Sequence, residues 1–150
     1  ASLAQAVWDH GRLPVKVASH FDAAGVPNGW MSREVFTAFH VGVVLFLAVA
    51  MSTSAAGIAS GRRGRINIPH RDYWLAPERL PSTLAALADW LYWFGAGTYV
   101  LLIDVFEQVL RFNRGFTMKL GHPLLSLSAY GVFAVWWTVR LMRRFSRVPA

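Results

Sequence analysis

Residues 35–59 read "VFTAFHVGVVLFLAVAMSTSAAGIA", an unbroken stretch without a charged side chain. About 20 mostly apolar residues suffice for a helix to cross a hydrocarbon core about 30 Å thick. The run shows no alternation of apolar and polar positions and continues well past the length of a strand, so it predicts a membrane-spanning helix. Two further stretches have the same character. Leu84–Phe106 reads "LAALADWLYWFGAGTYVLLIDVF" and is interrupted by Asp89 and Asp104; Leu120–Val139 reads "LGHPLLSLSAYGVFAVWWTV". Three such segments in 150 residues leave little polar chain to cover them as buried helices of a soluble protein. The fold class expected is an all-α integral membrane protein, a small bundle of three visible transmembrane helices over about 35–59, 84–106 and 120–139. An ordered extracytoplasmic segment, residues 1–34, precedes them.

Composition agrees. Hydrophobic residues make up 55% of the chain and charged residues 15%, against about 25% charged in ordinary soluble domains. The net charge of +7 would suit nucleic acid, but the basic residues flank the apolar runs and no basic-aromatic motif of a nucleic-acid module occurs. The partners expected are therefore the lipid bilayer and, after it, other membrane subunits, and not nucleic acid. The absence of cysteine excludes disulfides and thiolate metal sites. The chain opens at Ala1 without a methionine, and a preceding fourth helix at the N-terminal side is expected.

Charge orients the spans. The loop 61–82 carries Arg62, Arg63, Arg65, Arg71 and Arg79, and the tail carries Arg140, Arg143, Arg144 and Arg147. The opposite side receives Arg12, Lys16, Arg33, Arg111, Arg114 and Lys119. Nine basic residues against six place the loop and the C-terminus in the cytoplasm. The expected location is the bacterial inner membrane, multi-pass. Ser32 is read as the cap of the first span and Ser82 or Thr83 as that of the second, while Gly121 and Pro123 stand at the start of the third.

In this topology His10, His20, His40 and His122 fall on the outer side with Asp22, Asp104 and Glu107, and Asp89 lies near the inner end of its span. Asp104 and Glu107 are three apart and share a helix face. Carboxylates in a membrane are costly unless paired or wet, which makes them candidates for function. Imidazole and carboxylate also suit zinc or copper where thiolates are absent, so His20, Asp22, His40, Asp104, Glu107 and His122 form a candidate outer-face polar or metal cluster, with a divalent metal as the cofactor to consider. No tight His spacing accompanies them, and a structural polar cluster is the plainer reading. The segment "VKVASHFD" alternates as a strand would, which puts His20 and Asp22 on one face. Gly25 and a Pro27-Asn28-Gly29 turn would then reverse the chain. That folds the segment back as a cap, with His20 and Asp22 near Asp104, Glu107 and His122. In the loop, Arg62, Arg63, Arg65, Tyr73 and Trp74 are candidates for contact with lipid or a partner.

"LPVKVASHFDAAGVPNGW", Leu13–Trp30, resembles the signature Leu-Pro-x-x-Val-x-x-His-Phe-x-x-x-Gly-x-x-(Asp/Asn)-Gly of a small bacterial membrane domain of unknown function, found at the N-terminus of SdpI-like immunity proteins. Pro14, His20, Phe21, Gly25 and Gly29 carry the match, and "NIPHRDYWLAPER", Asn67–Arg79, is similar to a segment that follows the next helix in some members. The resemblance implies a signature preceded by a further transmembrane helix, and immunity to a peptide toxin in the larger SdpI proteins, whose second part this chain lacks. The function expected is a binding or accessory role: ligand sensing, immunity, or a peripheral subunit of a larger membrane complex. Metal binding or transport through the outer cluster is the alternative. No nucleophile with a base, phosphate loop or HExxH motif occurs, and the chain is read as not an enzyme.

Overall fold

A computed structural model describes residues 2–60 and 66–148. In chain order these form α1 (Ser2–His10), β1 (Lys16–Phe21), β2 (Pro27–Ser32), α2 (Arg33–Ala59), α3 (Arg71–Trp74), α4 (Leu80–Asn113) and α5 (Pro123–Phe145). Three helices, α2, α4 and α5, are long and apolar enough to cross a membrane. The fold is mostly helical but not all-α: the N-terminal segment holds a short helix and a two-stranded antiparallel sheet. The alternation of Lys16–Phe21, with β-branched Val17 and aromatic Phe21, favours extended chain, and pairing with β2 satisfies one edge of it.

The helix bounds also differ from expectation. Helix α2 begins at Arg33, where the Ser32 hydroxyl accepts the Val35 amide at 3.2 Å, as a cap should. Helix α4 begins at Leu80, ahead of Ser82 and Thr83. Those two hydroxyls donate to the carbonyls of Arg79 and Trp74 (2.9 and 2.8 Å) and cap nothing. Pro81 is tolerated there because first-turn amides have no helical partner. With 34 residues, α4 runs about 50 Å, well beyond a hydrocarbon core. Its last two turns therefore project past the apolar span. Helix α5 starts at Pro123, as expected, and continues to Phe145.

The chain divides into two compact units, one of residues up to Leu47 with Thr98–Tyr130, the other of Ala48–Gly97 with the chain from Gly131 onward. The first contains the hairpin. Lys16 pairs with Ser32, Val17 with Met31 and Ala18 with Trp30, and the register slips on either side of His20. The reversal lies at Asp22–Gly25 rather than at Pro27-Asn28-Gly29, which belongs to β2. One oxygen of Asp22 accepts the amides of Ala24 and Val26, both at 2.9 Å. Gly25 turns at φ +76°, and its carbonyl accepts the Leu120 amide at 3.0 Å. This local carboxylate closure competes successfully with the Pro-Asn-Gly turn. Gly25→Ala would put a Cβ 2.8 Å from the Leu120 carbonyl oxygen as well as straining the backbone. A loss of about 1–3 kcal/mol is expected, read from thermal unfolding in detergent. Inward from the hairpin, Leu13, Val17, Phe36, Phe106, Val109, Leu110 and Leu120 make one buried cluster.

In the second unit the α3 turn is tied to the last residue of α5. The Trp74 indole N–H donates to the Phe145 carbonyl at 2.9 Å, and the Trp74 ring meets the Phe145 ring edge-on at 5.3 Å. Gly95 and Gly97 allow close approach of Met51 and Phe133: a Cβ on Gly97 would sit 2.5 Å from the Phe133 ring.

Candidate functional site

The hairpin is held on the end of α4 by the Asn113 side-chain amide in addition to apolar contact. A two-stranded sheet leaves outward N–H and C=O groups that need partners once buried. Ala18, 2% exposed, is such a position. The Asn113 side chain accepts its N–H at 2.7 Å and donates to its C=O at 2.8 Å, standing in for a third strand. The same amide nitrogen donates to Val109 O at 2.9 Å, which fixes its orientation.

Helix α1 is fastened by its polar face. Gln5 and Asp9, one turn apart, share that face. Gln5 donates to the Glu107 carboxylate at 2.7 Å, and Asp9, 3% exposed, pairs with Arg114 at 2.6 Å. His10 and Thr37 hydrogen-bond at 2.9 Å. Arg12 and Arg114 stack over Trp8 and Phe116 at 4.0 and 4.8 Å from the ring centres.

A second polar network joins α4 to the loop and first turn of α5. The Asp104 carboxylate accepts from Gln108 at 2.7 Å and from the Ser126 hydroxyl at 2.5 Å. The Gln108 carbonyl oxygen accepts the His122 backbone amide at 2.7 Å. Beside it an open cleft of about 210 Å³ is lined by residues 23–25 of the hairpin turn and 120–125 of the loop.

The six residues expected to cluster are thus placed as follows. Asp104 and His122 meet one network through Gln108, His122 by its backbone only. His122 and the hairpin turn share the cleft, so the segment does fold back toward the α4–α5 connection. Asp22 closes its own turn, and the His20 imidazole bonds to the Asn28 side chain. Glu107 turns instead to Gln5 of α1. His40 is fully buried, with its ring stacked on Phe106 at 3.6 Å. Among the described residues no three His, Asp or Glu side chains come close enough to hold a metal ion. Tyr73 and Trp74 are half-buried: Arg79 lies over the Tyr73 ring at 3.8 Å and the Trp74 N–H is bonded within the chain. Arg62, Arg63 and Arg65 lie outside the described residues.

Asn113, Asp9, Arg114 and Gln5 were not singled out from the sequence as site residues. The one available signal was a four-residue spacing of Gln5 and Asp9 on a short amphipathic stretch. Asn113 reads only as a helix end before Gly115.

The family described as a domain of unknown function (DUF1648) matches residues 1–50, which contain α1, the hairpin and the first two thirds of α2. No curated protein and no solved structure matches the chain.

Proposed function

We propose that the protein is a multi-pass component of the bacterial plasma membrane, with its C-terminus in the cytoplasm and a binding or accessory role rather than a catalytic one. One observation carries this reading. The most apolar window of α5 has no buried residue and that of α4 almost none, so side chains such as Leu125, Val132 and Val135 face outward. Faces of this kind call for lipid or other helices. The polar groups, by contrast, mainly hold the chain to itself: Glu107 to α1, Asp104 to α5, Asn113 to the hairpin. The hairpin cleft beside His122 offers a place for a small external ligand, which suits the sensing or immunity role that the SdpI-like resemblance implies.

Extraction in mild detergent followed by mass analysis tests the reading. Recovery in the membrane fraction after alkaline washing is expected. A stoichiometric larger assembly would favour the subunit form of the role and a lone species the ligand-binding form. Recovery of the protein in the soluble fraction without detergent would sink both.

A further inference from the structure

Seven tryptophans occur in the chain, and four of them line one cleft in the second unit. It is an open cavity of about 300 Å³ bounded by Asp89, Trp90 and Trp93 of α4 and Trp136, Trp137 and Arg140 of α5. The two helices contribute the same spacing. Asp89 is four residues before Trp93, and Trp136 four before Arg140, so each helix offers an aromatic and a charge on one face. The rings are set by contacts within the chain: Trp137 donates its N–H to the Trp90 carbonyl at 3.2 Å, and the two ring centres lie 4.4 Å apart. Trp136 lies 5.5 Å from Trp137, with the Arg140 guanidinium 5.4 Å above it. Trp93 is 68% exposed.

The charges at the rim select the ligand. Among the described residues no ion pair joins Asp89 to Arg140, so the two do not neutralise each other by direct contact. A simple cation attracted by Asp89 and the ring faces would meet Arg140. A simple anion attracted by Arg140 would meet Asp89. A molecule carrying an ammonium and a phosphate a few bonds apart satisfies both, with the ammonium against Asp89 and the indole faces and the phosphate against Arg140. Arg140 stands five residues, about 7 Å along the axis, from the end of α5. That depth corresponds to headgroups if the helices span a bilayer.

We propose that this tryptophan cleft binds the zwitterionic headgroup of an aminophospholipid, phosphatidylethanolamine in chemical class. The inference rests on the membrane reading above. The acyl chains would lie along the exposed apolar faces of α4 and α5 next to the cleft, where Tyr92 and Val135 point outward.

Native mass spectrometry of the detergent-purified full chain tests it, with added phosphatidylethanolamine, phosphatidylglycerol, or the soluble headgroup glycerophosphoethanolamine as probes. One retained phosphatidylethanolamine, preferred over phosphatidylglycerol by about tenfold, is expected. Asp89→Asn should bring the two lipids to equal retention, Arg140→Gln should weaken both, and Trp93→Ala should reduce the preference several-fold. Trp8→Ala, an exposed tryptophan elsewhere, should change nothing. Circular dichroism of each variant checks that the helices persist. Binding of the soluble headgroup as tightly as of the lipid would overturn a lipid site in favour of a free zwitterion. Equal retention of the two lipids by the unaltered protein, or a preference untouched by Asp89→Asn in a folded variant, would overturn the proposal outright. Failure of the membrane reading shows separately, as a protein soluble without detergent.

Discussion

Asn113→Leu is expected to release the hairpin from α4. Leucine keeps the branched shape of asparagine but leaves the Ala18 N–H and C=O, both now bonded by Asn113 at 2.7 and 2.8 Å, without partners. Each buried backbone group left unpaired costs about 1–3 kcal/mol, and the pair should cost about 2–4 kcal/mol. The chain has a cheaper escape than leaving them dry. β1 can lift from α4 and hydrate its edge, which surrenders the packing of Val17 and Leu13 against Leu110 and Phe106. Limited proteolysis is therefore the sensitive measurement. Cleavage between Val15 and Asn28 should be slow in the unaltered protein and fast in the variant, and the amide of Ala18 should lose its protection from hydrogen exchange. A variant as resistant as the parent would mean that the amide clamp is incidental and that apolar contact alone seats the hairpin.

The second large effect is expected at Arg114. Its guanidinium contacts Asp9 at 2.6 Å, and the Asp9 side chain is 4% exposed against 24% for Arg114. Removing the more exposed partner strands a buried carboxylate. Breaking such a pair from one side costs about 3–5 kcal/mol, with the partial exposure of Arg114 favouring the lower end. Arg114→Met should thus lower the unfolding temperature in detergent and free α1, whose remaining polar attachments are Gln5–Glu107 and His10–Thr37. Replacing both partners, Asp9→Leu with Arg114→Met, should recover most of the loss, because two apolar side chains need no mutual solvation. A double variant as unstable as the single one would argue that Arg114 acts through its stacking on Phe116 (4.8 Å to the ring centre) instead.

Both expectations concern residues that sequence reading passed over, and the reason is physical. The helix-forming stretches announce themselves locally: charge-free runs such as residues 35–59 must hide their backbone polar groups by internal hydrogen bonding, whatever surrounds them. Ser32 as a cap and Pro123 as a first helical residue follow from the same short-range rules. The alternation at Lys16–Phe21 likewise foretold extended chain. The turn was misplaced because two signals stood side by side. Asp22 with Gly25 and Pro27 with Asn28 and Gly29 both reverse chains; the turn that forms is closed locally by the Asp22 carboxylate and also bonded by the Leu120 amide, almost a hundred residues away.

The polar side chains could be located but not partnered from composition and spacing. Asp104 and Glu107 do lie one turn apart on α4, yet one looks to Ser126 of α5 and the other to Gln5 of α1. Their neighbours are chosen by which helices pack on either side of α4. Hydropathy and periodicity are properties of a window of chain, so the apolar helices and the strand-forming run were readable residue by residue. Contacts such as Gln5–Glu107, Asp9–Arg114 and Ala18–Asn113 span 95 to 105 positions. Such pairings follow from packing, because a buried donor or acceptor must take whichever partner the assembled helices bring within bonding distance.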